Sequence, residues 1–151
     1  DVREWRSDEH VDLFVGARSG YQRLESPVTP IRKIILEKNH HRLAIRDEFE
    51  GAGDHQVTIP FHLSPDCEVA EIKTGRWLIK VSDIEFVLTY NIDADWQANN
   101  RKGWISPSYG VKLERPVIEF QRSGYLSSLR VGIYPAEQAP DNPQDWLANL
   151  I

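Results

Sequence analysis

A chain of 151 residues with 40% hydrophobic and 27% charged side chains has the composition of one folded domain and argues against disorder. Its net charge of −5 speaks against a general nucleic-acid binder, and the lack of any run of about 18 apolar residues speaks against a membrane-spanning helix. One cysteine, Cys67, rules out an internal disulfide framework and a cysteine-rich zinc site.

The dominant period along the chain is two. Val11, Leu13, Val15 and Ala17 alternate with Asp12, Phe14 and Gly16. Leu43 and Ile45 alternate with Arg42, Ala44 and Arg46, and Val57, Ile59, Phe61 and Leu63 alternate with Gln56, Thr58, Pro60 and His62. Ile84 to Tyr90 and Leu129 to Ile133 obey the same rule. Side chains of a strand point alternately to its two faces, so each run offers one face to a core and one to water. Ile31–Glu37 and Trp77–Val81 are more uniformly apolar, as strands covered on both faces would be. Turn signals such as Ser26-Pro27, Lys38-Asn39, Glu50-Gly51-Ala52-Gly53-Asp54, Thr74-Gly75 and Ser123-Gly124 separate the runs.

This spacing predicts nine or ten short strands in an all-β, two-layer antiparallel β-sandwich occupying residues 1–151 as a single domain. The segment Asn91–Gly110 breaks the rhythm and reads as a long polar loop carrying Trp96, Trp104 and Tyr109. Those aromatics either cover the end of the sandwich or serve a ligand. The tail changes period. Asp141 or Asn142 can cap a helix, Pro143 suits its first turn, and Trp146, Leu147, Leu150 and Ile151 form an apolar stripe, so one short C-terminal helix is expected near residues 143–150.

Charge is unevenly spread. Residues 18–46 carry +5 and residues 47–95 carry −8. The basic block either steers an anionic ligand or forms the solvated faces of neighbouring strands. Asp47 shares strand parity with Leu43, Ile45 and Phe49, so it needs a partner such as a turn or an arginine. Nucleophilic catalysis has little support. Cys67 lies between Asp66 and Glu68, which disfavour a thiolate, and no nucleophile elbow or phosphate-cradling glycine motif is present. His40 and His41 are adjacent, and His55 and His62 are seven apart, so neither pair shares a face of a regular strand. No metal and no cofactor are therefore expected.

Residues 15–65 resemble the C-terminal β-sandwich of the heparinase II/III-like polysaccharide lyases. The matching positions are Gly20, Tyr21, Arg23, Leu24, Pro27, Val28, Arg32, Asp47, Gly51, Gly53, His55, Phe61, His62 and Pro65. A second match is Ile105-Ser106-Pro107-Ser108-Tyr109-Gly110, followed by Pro116-Val117. The chain departs from the family where a Glu-His-Asp triplet becomes Ala17-Arg18-Ser19 and a histidine becomes Pro30. The resemblance implies a bacterial parent enzyme, periplasmic or extracellular, in which a helical toroid catalytic domain precedes the sandwich. An acidic polysaccharide lies between them and is cleaved by β-elimination. The family's catalytic groups precede the matched region, so none is carried over, and this chain alone is expected to support catalysis rather than perform it. The absence of methionine agrees with an excised piece of such a parent. Arg18, Tyr21, Arg23 and Arg32 are the expected glycan contacts, with Trp104 and Tyr109 as stacking platforms. The alternatives are a free-standing carbohydrate-binding module and a purely structural domain.

Overall fold

The computed structural model describes residues 1–150. Its strands are β1 (Val2–Ser7), β2 (Val11–Ala17), β3 (Val28–Glu37), β4 (Arg42–Gly51), β5 (His55–His62), β6 (Glu68–Lys73), β7 (Arg76–Val81), β8 (Ile84–Tyr90), β9 (Gln97–Ile105), β10 (Leu113–Gly124) and β11 (Leu129–Pro135). One α-helix, α1, spans Pro143–Leu150, after a single 3-10 turn at Ala136–Gln138. Eight strands form a large antiparallel sheet in the order β1-β2-β3-β4-β11-β8-β7-β6, and β5-β10-β9 form a small one. The all-β sandwich with a short C-terminal helix expected from the sequence is therefore present.

Eleven strands form where nine or ten were expected, and β1, β6, β9 and β10 were not among the runs singled out above. β1 is a short, fully exposed edge strand. β9 lies inside the segment read as a loop. Its sequence QANNRKGWI is poor in β-formers, yet it pairs with β10 over a continuous register from Leu113↔Ile105 to Gln121↔Gln97. Tertiary pairing overrides weak local propensity here. β7 also differs from expectation. Trp77 and Ile79 are buried while Lys80 is exposed, so this strand is covered on one face.

The main core lies between the sheets. Ile59 of β5 and Ile118 and Phe120 of β10 pack against Trp77, Ile79, Leu88, Tyr90, Leu129 and Val131 of the large sheet. Trp96 joins this core and stacks on Phe49 at 6.2 Å, so it covers the interior rather than awaiting a ligand. A second core lies on the opposite, outer face. There Leu147 of α1, flanked by Trp146 and Leu150, covers Leu13, Ile35 and Ala44. A Cβ on Gly132 would lie 2.3 Å from Trp146 Cζ3, so that position must stay bare for the helix to seat. Asn142 is the helix cap: its Oδ1 accepts from the backbone N–H of Gln144 at 3.1 Å. Ile151, placed in the apolar stripe by the sequence, lies outside the described residues.

Candidate functional site

The small sheet covers only part of the large one. Its edge strand β5 leaves the inner face of β1–β3 open, and a cleft of about 830 Å³ forms there. Arg18, Tyr21, Leu24, Arg32, Asp47 and His55 are among the residues that line it. Pro60 on β5 suits this free edge, because proline has no N–H to offer a neighbouring strand.

Cross-strand pairing builds the floor. Gly16, Arg32, Asp47 and Leu129 stand opposite one another on β2, β3, β4 and β11. Arg32 Nε and Nη2 donate to Asp47 Oδ1 and Oδ2 at 2.7 and 2.8 Å, a two-pronged ion pair. Hydrogen bonding to Asp47 raises the Arg32 pKa against the opposing effect of burial. The Arg32 guanidinium also sits 5.8 Å from the centre of the Phe61 ring on β5. The partner that strand parity demands for Asp47 is thus an arginine rather than a turn. Arg32 is correspondingly neutralised and braces the cleft wall.

The rim comes from the turn-rich segment between β2 and β3. The backbone N–H of Arg18 donates to the Pro30 carbonyl at 3.0 Å, and Gln22 Nε2 donates to Thr29 Oγ1 at 2.6 Å, which fastens the segment to the start of β3. Arg18 has no carboxylate partner among the described residues and rests 5.9 Å from the centre of the Tyr21 ring, itself 40% exposed. An unpaired guanidinium beside an exposed ring can fork onto a carboxylate or sulfate while the ring stacks on a sugar face.

The structure divides the expected glycan contacts. Arg18, Tyr21 and Arg32 converge on the cleft, whereas Arg23 is exposed in the same segment and does not line it. Trp104 and Tyr109 also lie outside it. Trp104 is on β9, 54% exposed, with Lys112 Nζ 4.1 Å from its ring centre, so one face of the ring is occupied. Tyr109 is fully exposed in the β9–β10 connection. His55 was not among the expected contacts, although the Gly51-x-Gly53-x-His55 pattern contained it; its Nε2 lies 3.3 Å from the Ala52 carbonyl. His40 and His41 occupy the β3–β4 turn rather than a strand, with His41 at φ 52°. β5 keeps a regular register through Pro60, so His55 and His62 remain on opposite faces.

Among curated proteins none matches the sequence. Solved structures do. The heparan sulfate lyase HepC from Pedobacter heparinus superposes with a TM-score of 0.78 at 16% identity, covering 89% of this chain and 21% of that one. A heparinase III gene product gives 0.74 at 18% identity, covering 93% and 22%. Another heparinase III gives 0.71 at 13% identity, covering 89% and 21%. These likenesses establish a shared fold, and the chain spans about a fifth of the length of each of those structures. The family described as heparinase II/III-like, C-terminal, matches residues 1–132, most of the sequence. The chain belongs to the heparinase II/III-like C-terminal family.

Proposed function

We propose that this chain is the C-terminal sandwich of a bacterial polysaccharide lyase and that its inner cleft contacts the acidic polysaccharide. The parent carries a helical toroid catalytic domain, acts in the periplasm or outside the cell, and cleaves by β-elimination. The sandwich supports that reaction without supplying its base or acid. The observation that carries the glycan contact is the unpaired Arg18 beside the exposed Tyr21 ring at the rim of an open cleft. The family and the lyases sharing the fold, one titled a heparan sulfate lyase, support the substrate class.

The test is calorimetric titration of the 151-residue chain with a heparan sulfate hexasaccharide at low and at high salt. A half-site should bind at about millimolar Kd, or roughly −4 kcal/mol. Affinity should fall with salt, because exposed charges are screened beyond roughly 8–10 Å, and Arg18→Ala should abolish it. Binding that ignores salt, accepts neutral oligosaccharides and vanishes only in Trp104→Ala would instead identify a free-standing carbohydrate-binding module. No binding at any salt would leave a purely structural domain.

A further inference from the structure

One residue along each strand from the Arg32–Asp47 pair, the large sheet shows the opposite arrangement. Lys33, Arg46 and Arg130 stand directly opposite one another on β3, β4 and β11. Strand parity puts all three on the outer face, with Val15 beyond Lys33 and Glu4 beyond Val15 at the far end of the row. Adjacent strands lie about 4.8 Å apart, so the Cα atoms of the three residues span roughly 10 Å. Arg46 Nη2 pairs with Glu48 at 2.5 Å, the one carboxylate bonded to the row among the described residues. The Nε atoms of Arg46 and Arg130 are buried and have no hydrogen-bond partner. α1 covers the neighbouring row of Leu13, Ile35, Ala44 and Gly132 and forms a wall along one side.

Like charges directly opposite on adjacent strands destabilise a sheet, and an unpaired buried donor adds to that cost. Glu48 offsets part of the like-charge cost at Arg46, and an oxyanion seated on the row would offset the remainder. Guanidinium forks suit the paired oxygens of sulfate and carboxylate groups. We propose that Lys33, Arg46 and Arg130 form an oxyanion site on the outer face, separate from the inner cleft, that holds a sulfate or carboxylate group of an acidic glycan. The glycan assignment rests on the function proposed above; the oxyanion site does not. A polysaccharide could then touch both faces of the large sheet.

The experiment is a titration of the full chain with inorganic sulfate at low ionic strength, following the arginine Nε–Hε resonances by NMR. The resonances of Arg46 and Arg130 should move and saturate with a midpoint on the order of millimolar. Lys33→Gln and Arg130→Gln should each raise that midpoint up to about tenfold. Without sulfate, Lys33→Gln should raise Tm by roughly 1–3 °C, because it relieves a like-charge contact. That gain in stability with a loss of affinity is a pair of changes a merely structural lysine would not produce. Unmoved resonances, or a midpoint unaffected by Lys33→Gln, would overturn the site. A sulfated or uronate disaccharide should displace sulfate from the same resonances; equal displacement by an uncharged disaccharide would overturn the glycan assignment. Failure of cleft binding leaves these signals in place, so the two readings fail separately.

Discussion

Two rows of residues cross the large sheet one position apart and solve the same problem differently. On the inner face a cation meets a carboxylate across the β3–β4 pair, and the Arg32–Asp47 fork closes on itself. On the outer face Lys33 meets Arg46, and Arg46 meets Arg130. Backbone geometry is shared, so the difference lies wholly in side-chain chemistry. The inner row uses its charge to hold the sheet; on the outer row Arg46 meets Glu48, and Lys33 and Arg130 have no carboxylate partner among the described residues. Strand parity thus turns Arg32 to the inner face and Lys33, Arg42 and Arg46 to the outer one, where Arg42 and Arg46 meet Glu37 and Glu48 while Lys33 has no carboxylate partner among the described residues.

Breaking the inner pair should have the largest effect. Arg32→Ala leaves the Asp47 carboxylate, whose side chain is only 10% exposed, without its partner. Loss of about 2–3 kcal/mol is expected by urea denaturation, at the low end for a buried pair because Arg32 itself is 42% exposed. The neighbouring Lys33→Gln should shift stability the other way, so two adjacent substitutions of opposite sign would sharpen the contrast. Next comes the seat of α1. Gly132→Ala places a methyl group against Trp146 and should cost about 1–3 kcal/mol, with a change in tryptophan fluorescence as the helix lifts. Trp104→Ala, at an exposed ring stacked under Lys112, should change stability by less than about 1 kcal/mol.

The pH profile tests both faces together. Lys38 and Ser7 lower the Asp12 pKa, backbone N–H groups of His10 and Val11 lower that of Asp8, and Arg3 lowers that of Glu50. Their stabilisation is present above the ordinary carboxylate range and is lost as pH falls through the lowered folded values, so Tm should drop below about pH 4. Burial raises the pKa of Tyr90, in the inter-sheet core, and of Tyr134, against Trp146 on the outer side. The unfolded chain then releases protons first, and stability should decline as pH rises above about 10. A flat Tm between pH 9 and 11 would remove this contribution.

The apolar runs located the interior strands of the large sheet, and their parity anticipated that Asp47 needs a partner. Parity also carried the information that Lys33 faces away from Arg32, but the identity of cross-strand neighbours needed the register. β9 escaped because Asn99, Asn100 and Gly103 have little intrinsic preference for a strand; β10 supplies it. Trp96 and Trp104 show a second limit. Both have even parity in one polar segment, yet Trp96 lies over the core and Trp104 lies further along the β9–β10 hairpin, beyond the inter-sheet packing. Position along a hairpin is not encoded in periodicity. The helix was easier to read, since cap, proline and apolar stripe all agree over Pro143–Leu150.

β11 is the last strand in the chain and sits in the middle of the large sheet, between β4 and β8. During synthesis β1–β4 and β6–β8 are therefore made as two half-sheets, each with an open edge waiting for the same strand. Assembly depends on contacts far apart in sequence, which slows folding and leaves strand edges exposed in the meantime. The residues that join the halves, Leu129 to Pro135, emerge from the ribosome after nearly everything they must connect. The carboxyl-terminal end of this chain thus acts as its keystone, and the order of translation sets when the sheet can close.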